Sequence, residues 1–157
     1  MILAFETSAK AASVALLDGG KLLGESYQNT GLTHSQTLMV MAEDLLNQCG
    51  RTVADITAVA VAEGPGSFTG VRIGVAAAKG FAWGKQLPCY GVSTLEAMAE
   101  SLAVYRGYVC ACMDARRNQV YNGLFFANNG KLERISEDRA IALAELALSL
   151  IRKKVKS

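Results

Sequence analysis

Histidine is nearly absent: His34 is the only one in 157 residues. A metal pair on a helix needs a second ligand one turn later, and position 38 is Leu38. No HExxH is present either, so ligand count excludes a metalloprotease. A Ser-His-Asp triad is arithmetically possible, but no GxSxG elbow surrounds any serine. His34 therefore reads as a helix-start residue. The four cysteines, Cys49, Cys89, Cys110 and Cys112, form no CxxC pair. The spacing of Cys110 and Cys112 is not that of a zinc knuckle, so no metal site is expected. Two residues apart on one strand, they point the same way and read as small core residues. All four read as free thiols in a reducing compartment.

Charge is sparse and nearly balanced. Charged residues make up 19% and the net charge is +2, too little for a nucleic-acid footprint. The basic residues are scattered apart from the tail RKKVKS (152–157), which reads as a solvated end. Long apolar runs are missing too. Nowhere do about 18 apolar residues run uninterrupted, which excludes a membrane-spanning helix. The first ten residues, MILAFETSAK, have no basic n-region, so no signal peptide is read and a cytoplasmic protein is expected.

What is present is apolar substance: 51% of residues are hydrophobic, enough for a sizeable core. Strands are expected at 2–6, 12–18 and 22–28, the last two joined by a glycine turn. A helix is expected over 33–50. Leu38, Met41, Ala42, Leu45, Leu46 and Cys49 form its apolar face, and Gly50 stands where a C′ glycine belongs. A strand at 56–62, a helix at 69–86, a strand at 89–92 and a helix at 93–104 follow. That last helix opens on a capping box of Ser93 and Glu96. The order β-β-β-α-β-α-β-α is that of a ribonuclease-H-like domain of the actin, sugar-kinase and chaperone superfamily, a mixed five-stranded sheet with helices. It is expected over residues 1–104. The pattern then restarts with strands at 108–114, 119–127 and 131–136 and a helix at 137–151. Residues 105–157 thus read as an incomplete second copy.

The stretch EGPGSFTGVRIGVAAAKG (63–80) is the richest in glycine. It is neither a Walker A loop nor the dinucleotide fingerprint, because Gly64, Gly66 and Gly70 give GxGxxxG. A strand-to-helix glycine turn still has free N–H groups for an anion. Gly66, Gly70, Gly74, Ala78 and Ala82 recur four apart and stack on one helix face. Glycine within a helix costs about 0.5–1 kcal/mol relative to alanine, so a close backbone approach must offset it. Internal packing on the domain's own sheet and a helix–helix interface with another chain both satisfy that requirement.

Two further places carry candidate chemistry. Glu6, Thr7 and Ser8 end the first strand where the superfamily has its first phosphate loop, although aspartate is usual where Glu6 stands. In the second copy, Asp114 is followed by Arg116 at the position of a phosphate-loop glycine. A bulky side chain there weighs against ATP hydrolysis and leaves Arg116 and Arg117 for a salt bridge or an anionic partner.

Together, ILAFETSAKAASVAL, THSQTLMVMAEDLL, GPGSFTGVRIG, PCYGVSTLEAMA and MDARRNQVY resemble the TsaB/YeaZ family, over about residues 2–145. The segment LSLIRKKVKS does not, and the family's members continue further, so a truncated chain is expected. The resemblance implies a non-catalytic scaffold or activating subunit. In that family it binds TsaD, which adds a threonylcarbamoyl group to adenosine 37 of ANN-decoding tRNAs, and it aids assembly with the TsaE ATPase. It implies a homodimer when alone, no cofactor of its own, and ATP and threonylcarbamoyl-adenylate used by the partner subunits. tRNA is then met through the complex, with Arg116 and Arg117 as possible contacts. The resemblance places the partner interface on the two helices of the first domain. Gly70, Val71, Gly74, Val75 and Ala78 would face the partner beside Leu38, Met41 and Leu45. The alternative is a small actin-like nucleotide-binding phosphotransferase, with Glu6, Thr7 and Ser8 at the phosphates.

Overall fold

A computed structural model of the chain describes residues 1–154, with side chains described through 149. The chain divides into two compact units, residues 1–94 and residues from 95 onward.

The first unit is a five-stranded sheet in the order β3-β2-β1-β4-β5. The strands are β1 (Ile2–Glu6), β2 (Ala12–Asp18), β3 (Lys21–Gln28), β4 (Ala58–Gly64) and β5 (Cys89–Ser93). β1 pairs antiparallel with β2 and parallel with β4, so the sheet is mixed. Alternation along the strands sets the faces. Leu3 and Phe5 of β1, Val14 and Leu16 of β2, and Val59 and Val61 of β4 point into one core. Helix α1 (His34–Gln48) covers β2 and β3, α2 (Phe68–Lys85) covers β4 and β1, and the two helices touch. The apolar face expected for α1 is the buried one, from Leu38 through Leu46. The helix ends as expected: Gly50 has φ +62° and donates its N–H to the Asn47 carbonyl, and Arg51 N–H reaches the Leu46 carbonyl. The architecture is ribonuclease-H-like.

Helix α3 (Thr94–Glu100) is shorter than the expected 93–104. Its Leu95 and Ala99 belong to the second unit's core, with Val109, Ala111, Phe125 and Ala127.

The second unit is built on a long hairpin of β6 (Arg106–Arg116) and β7 (Gln119–Asn128). β8 (Lys131–Arg134) and β9 (Arg139–Ala142) both pair antiparallel with β7, β8 along residues 125–128 and β9 along 119–122. Between them the chain stays tied to the strand. Leu124 N–H donates to Ser136 Oγ at 3.1 Å, and the Leu124 carbonyl accepts the N–H groups of Ile135 and Ser136. β9 corrects the expected helix at 137–151, which is confined to α4 (Leu143–Lys154). The alanine-rich composition suits a helix, yet the ladder with β7 satisfies the backbone and buries Ile141, and this pairing overrides propensity. The side chains of the basic tail at 152–157 lie outside the described residues.

Candidate functional site

The glycine-rich stretch and the end of β1 form one joint. Ser67 caps α2, its Oγ accepting the Gly70 N–H at 3.3 Å. Ser67 N–H donates to the Ser8 carbonyl at 2.6 Å. Thr7 is fully buried and its hydroxyl donates to the Gly70 carbonyl at 2.8 Å. Ser8, 2% exposed, donates its N–H to Glu6 Oε1.

The glycines are the mould of this joint. A Cβ at Gly66 would stand 2.5 Å from the Ser8 carbonyl oxygen, one at Gly70 2.1 Å from the Thr7 carbonyl oxygen, and one at Gly74 2.2 Å from Thr7 Oγ1. All three distances are far inside van der Waals contact, and two of the obstacles are backbone atoms. What approaches the row so closely is the chain's own β1–β2 turn. His34 fixes the same turn from α1, its ring Nε2–H donating to the Ala9 carbonyl at 3.1 Å.

This geometry corrects two expectations. Gly70, Gly74 and Ala78 do not face outward: they are buried against the first unit, as are Leu38, Met41 and Leu45, which lie 1–3% exposed in the core. Val71 is half-buried, and Val75 packs against the core edge. Nor are Thr7 and Ser8 an open phosphate loop. The Thr7 hydroxyl and the Ser8 backbone N–H and carbonyl already have partners, and Glu6 holds the Ser8 amide.

The face of α2 that is open lies opposite. Ala76, Gly80 and Gly84 are exposed and fall four apart, and a Cβ at Gly80 or Gly84 would meet nothing within 4 Å. Trp83 is 88% exposed, and Phe68, 70% exposed, carries the Arg72 guanidinium 3.8 Å above its ring. On α1, Met39 and Val40 are exposed apolar side chains. The row at Gly70, Gly74 and Ala78 is the inner one; the outer row carries the same four-residue signal at Ala76, Gly80 and Gly84.

In the second unit, Arg116 and Arg117 are exposed at the β6–β7 turn. Arg116, Arg117 and Asn118 have φ of +65°, +51° and +59°, a conformation that favours glycine. Asp114 Oδ1 accepts the Arg116 N–H at 2.7 Å and fixes the turn. Cys110 and Cys112 correct the expectation of core residues. Val109 and Ala111 take the core face, and the two thiols lie together on the other. Burial, and then the neighbouring Cys112 thiol, push the Cys110 thiol up to about 11, while Asn122 and Arg139 pull it the other way.

Among the described residues, no cluster of three metal-ligating side chains occurs and no helix is long and apolar enough to cross a membrane. The family model for TsaD, tRNA N6-adenosine threonylcarbamoyltransferase, matches residues 28–156. The tRNA threonylcarbamoyladenosine biosynthesis protein TsaB of Bacillus subtilis is 40% identical over 92% of this chain and 63% of its own length. The Escherichia coli protein of the same name is 43% identical over 76% of this chain and 52% of its own. The solved structure of YeaZ from Pseudomonas aeruginosa superposes with a TM-score of 0.81 at 34% identity, over 89% of this chain and 66% of that one. The chain thus spans between half and two thirds of the length of these curated relatives. At these identities and with this superposition, the chain belongs to the TsaB/YeaZ family.

Proposed function

We propose that this chain serves in threonylcarbamoyladenosine formation on tRNA as a non-catalytic subunit that binds a TsaD-type catalytic paralogue through the outer faces of α1 and α2. One observation carries the reading: α2 presents an uncovered row of small residues, Ala76, Gly80 and Gly84, beside the exposed Phe68 and Trp83. Small residues let another backbone come close, and exposed aromatics supply the area that a partner would bury. Val71 and Val75 lie at the margin of that face. The same face serves a homodimer when no paralogue is present.

The chain holds no cofactor of its own in this account. ATP and the threonylcarbamoyl-adenylate donor are used by the partner subunits, a TsaE-type ATPase among them, and the setting is the cytoplasm. tRNA meets the complex chiefly through other subunits, with Arg116 and Arg117 as the exposed cations nearest to such a role. The rival reading, a nucleotide-binding phosphotransferase, needs Thr7 and Ser8 available to phosphate. Both are buried and hydrogen-bonded within the chain.

The test is reconstitution. A TsaD-type subunit, a TsaE-type ATPase, the adenylate donor and an ANN-decoding tRNA are combined with and without this chain, and threonylcarbamoyladenosine is measured by mass spectrometry of the digested tRNA. Product that requires the chain supports the reading. Product at the same rate without it removes the activating role.

A further inference from the structure

The charges on the outer faces of α1 and α2 are segregated by sign. α1 carries no lysine or arginine, and its carboxylates, Glu43 and Asp44, are both exposed. They stand one turn after the exposed Met39 and Val40. α2 carries no aspartate or glutamate; Arg72 and Lys79 are exposed, and so is Lys85 in its last turn. Arg72 and Lys79 lie two turns apart on the stripe that holds Ala76 and Gly80. The two helices touch, yet among the described residues none of these five charges enters an ion pair within the chain.

We propose that two copies of this chain join crosswise, α1 of each lying along α2 of the other, with Glu43 and Asp44 opposite Arg72 and Lys79. The inference rests on the reading that these outer faces are the association surface. α1 covers β2 and β3, α2 covers β1 and β4, and the sheet order sets the two helices side by side. A closed pair of copies is related by a two-fold axis, and each copy offers the same patch. Two such axes lie in the plane of the interface. One running across the helices lays α1 on α1 and α2 on α2, and brings like charges together. One running along the helices lays α1 on α2 of the second copy, twice, and the facing charges are then of opposite sign. Like charges in juxtaposition cost free energy and unlike ones guide encounter, so charge selects the crossed arrangement. The same arrangement sets Met39 and Val40 against the small row of Ala76 and Gly80, where a side chain from outside finds open space.

The test is sedimentation velocity over a concentration series, which gives the dimer dissociation constant of the full chain and of charge variants, each checked for native circular dichroism. Glu43→Lys/Asp44→Lys should weaken self-association about tenfold or more, and Arg72→Glu/Lys79→Glu should do the same, because each makes the facing charges alike in the crossed dimer. The chain with all four positions reversed should associate as the parent does. For the parent, about 1 M sodium chloride, where the screening length falls to about 3 Å, should loosen the dimer. Reversals on one helix that leave the constant unchanged, a fourfold reversal that does not restore it, or a parent dimer that tightens with salt would overturn the crossed arrangement. A parent that stays monomeric would overturn it too. A TsaD-type subunit added to that monomer then reports whether the face binds at all, so the crossed dimer and the reading beneath it fail separately.

Discussion

Thr7 shows how one side chain decides the use of a whole motif. Its hydroxyl and carbonyl fill the space that Gly74 and Gly70 leave by having no Cβ. Gly74→Ala should therefore destabilise the chain by about 1–3 kcal/mol in urea unfolding, the usual cost of overpacking. Gly80→Ala should do the reverse by about 0.5–1 kcal/mol, because helix propensity acts there with nothing in the way. Equal effects at the two positions would contradict the inward and outward assignment. Asp55 gives a separate residue-level prediction. In the 3-10 turn Val53–Asp55 its carboxylate accepts from the Thr52 backbone N–H and hydroxyl, and those bonds hold its pKa below the ordinary aspartate value. The unfolded chain binds the proton more readily, so this contribution is present above the unfolded pKa and lost as pH falls through the folded one. Carbon-detected NMR titration should place the Asp55 midpoint below that of an unstructured aspartate; an ordinary midpoint would show that the Thr52–Asp55 bonds do not hold in solution.

At the scale of elements, helices with one-sided periodicity were legible. Leu38, Met41, Ala42, Leu45 and Leu46 identify the buried face of α1 directly, and Leu38→Ala should cost about 2–5 kcal/mol as a cavity in that core, measured by chemical denaturation. α2 was legible as a helix but its direction was not. It carries small residues in two rows, at 70-74-78-82 and at 76-80-84, and periodicity alone does not say which row meets the sheet. Only the position of Thr7, in the turn that follows β1, separates them. β9 was hidden for a related reason. Arg139–Ala142 runs straight into an alanine-rich helix, and its strand character comes from its partner β7, distant in sequence. Cys110 and Cys112 share a face of β6, as their spacing dictates, but it is the face opposite Val109 and Ala111. Alternation fixes which residues lie together and not which side is covered.

For the molecule as a whole, the two rows of small residues on α2 meet different surroundings, the inner one the β1–β2 turn and the outer one solvent. The joint of Thr7, Ser8 and the inner glycines is closed by the chain's own hydrogen bonds. The outer face of α2, with Gly80, Gly84, Phe68 and Trp83, is exposed. The central claim is that this outer face, and not the inner row, meets a TsaD-type partner. Light scattering on a sizing column tests it directly, with the chain alone and mixed with a TsaD-type subunit, as parent and as Gly80→Leu. A one-to-one heterodimer is expected for the parent, and separate species for Gly80→Leu with a melting temperature no lower than the parent's. A Gly80→Leu chain that associates as the parent does, or a parent that ignores the subunit, would contradict it.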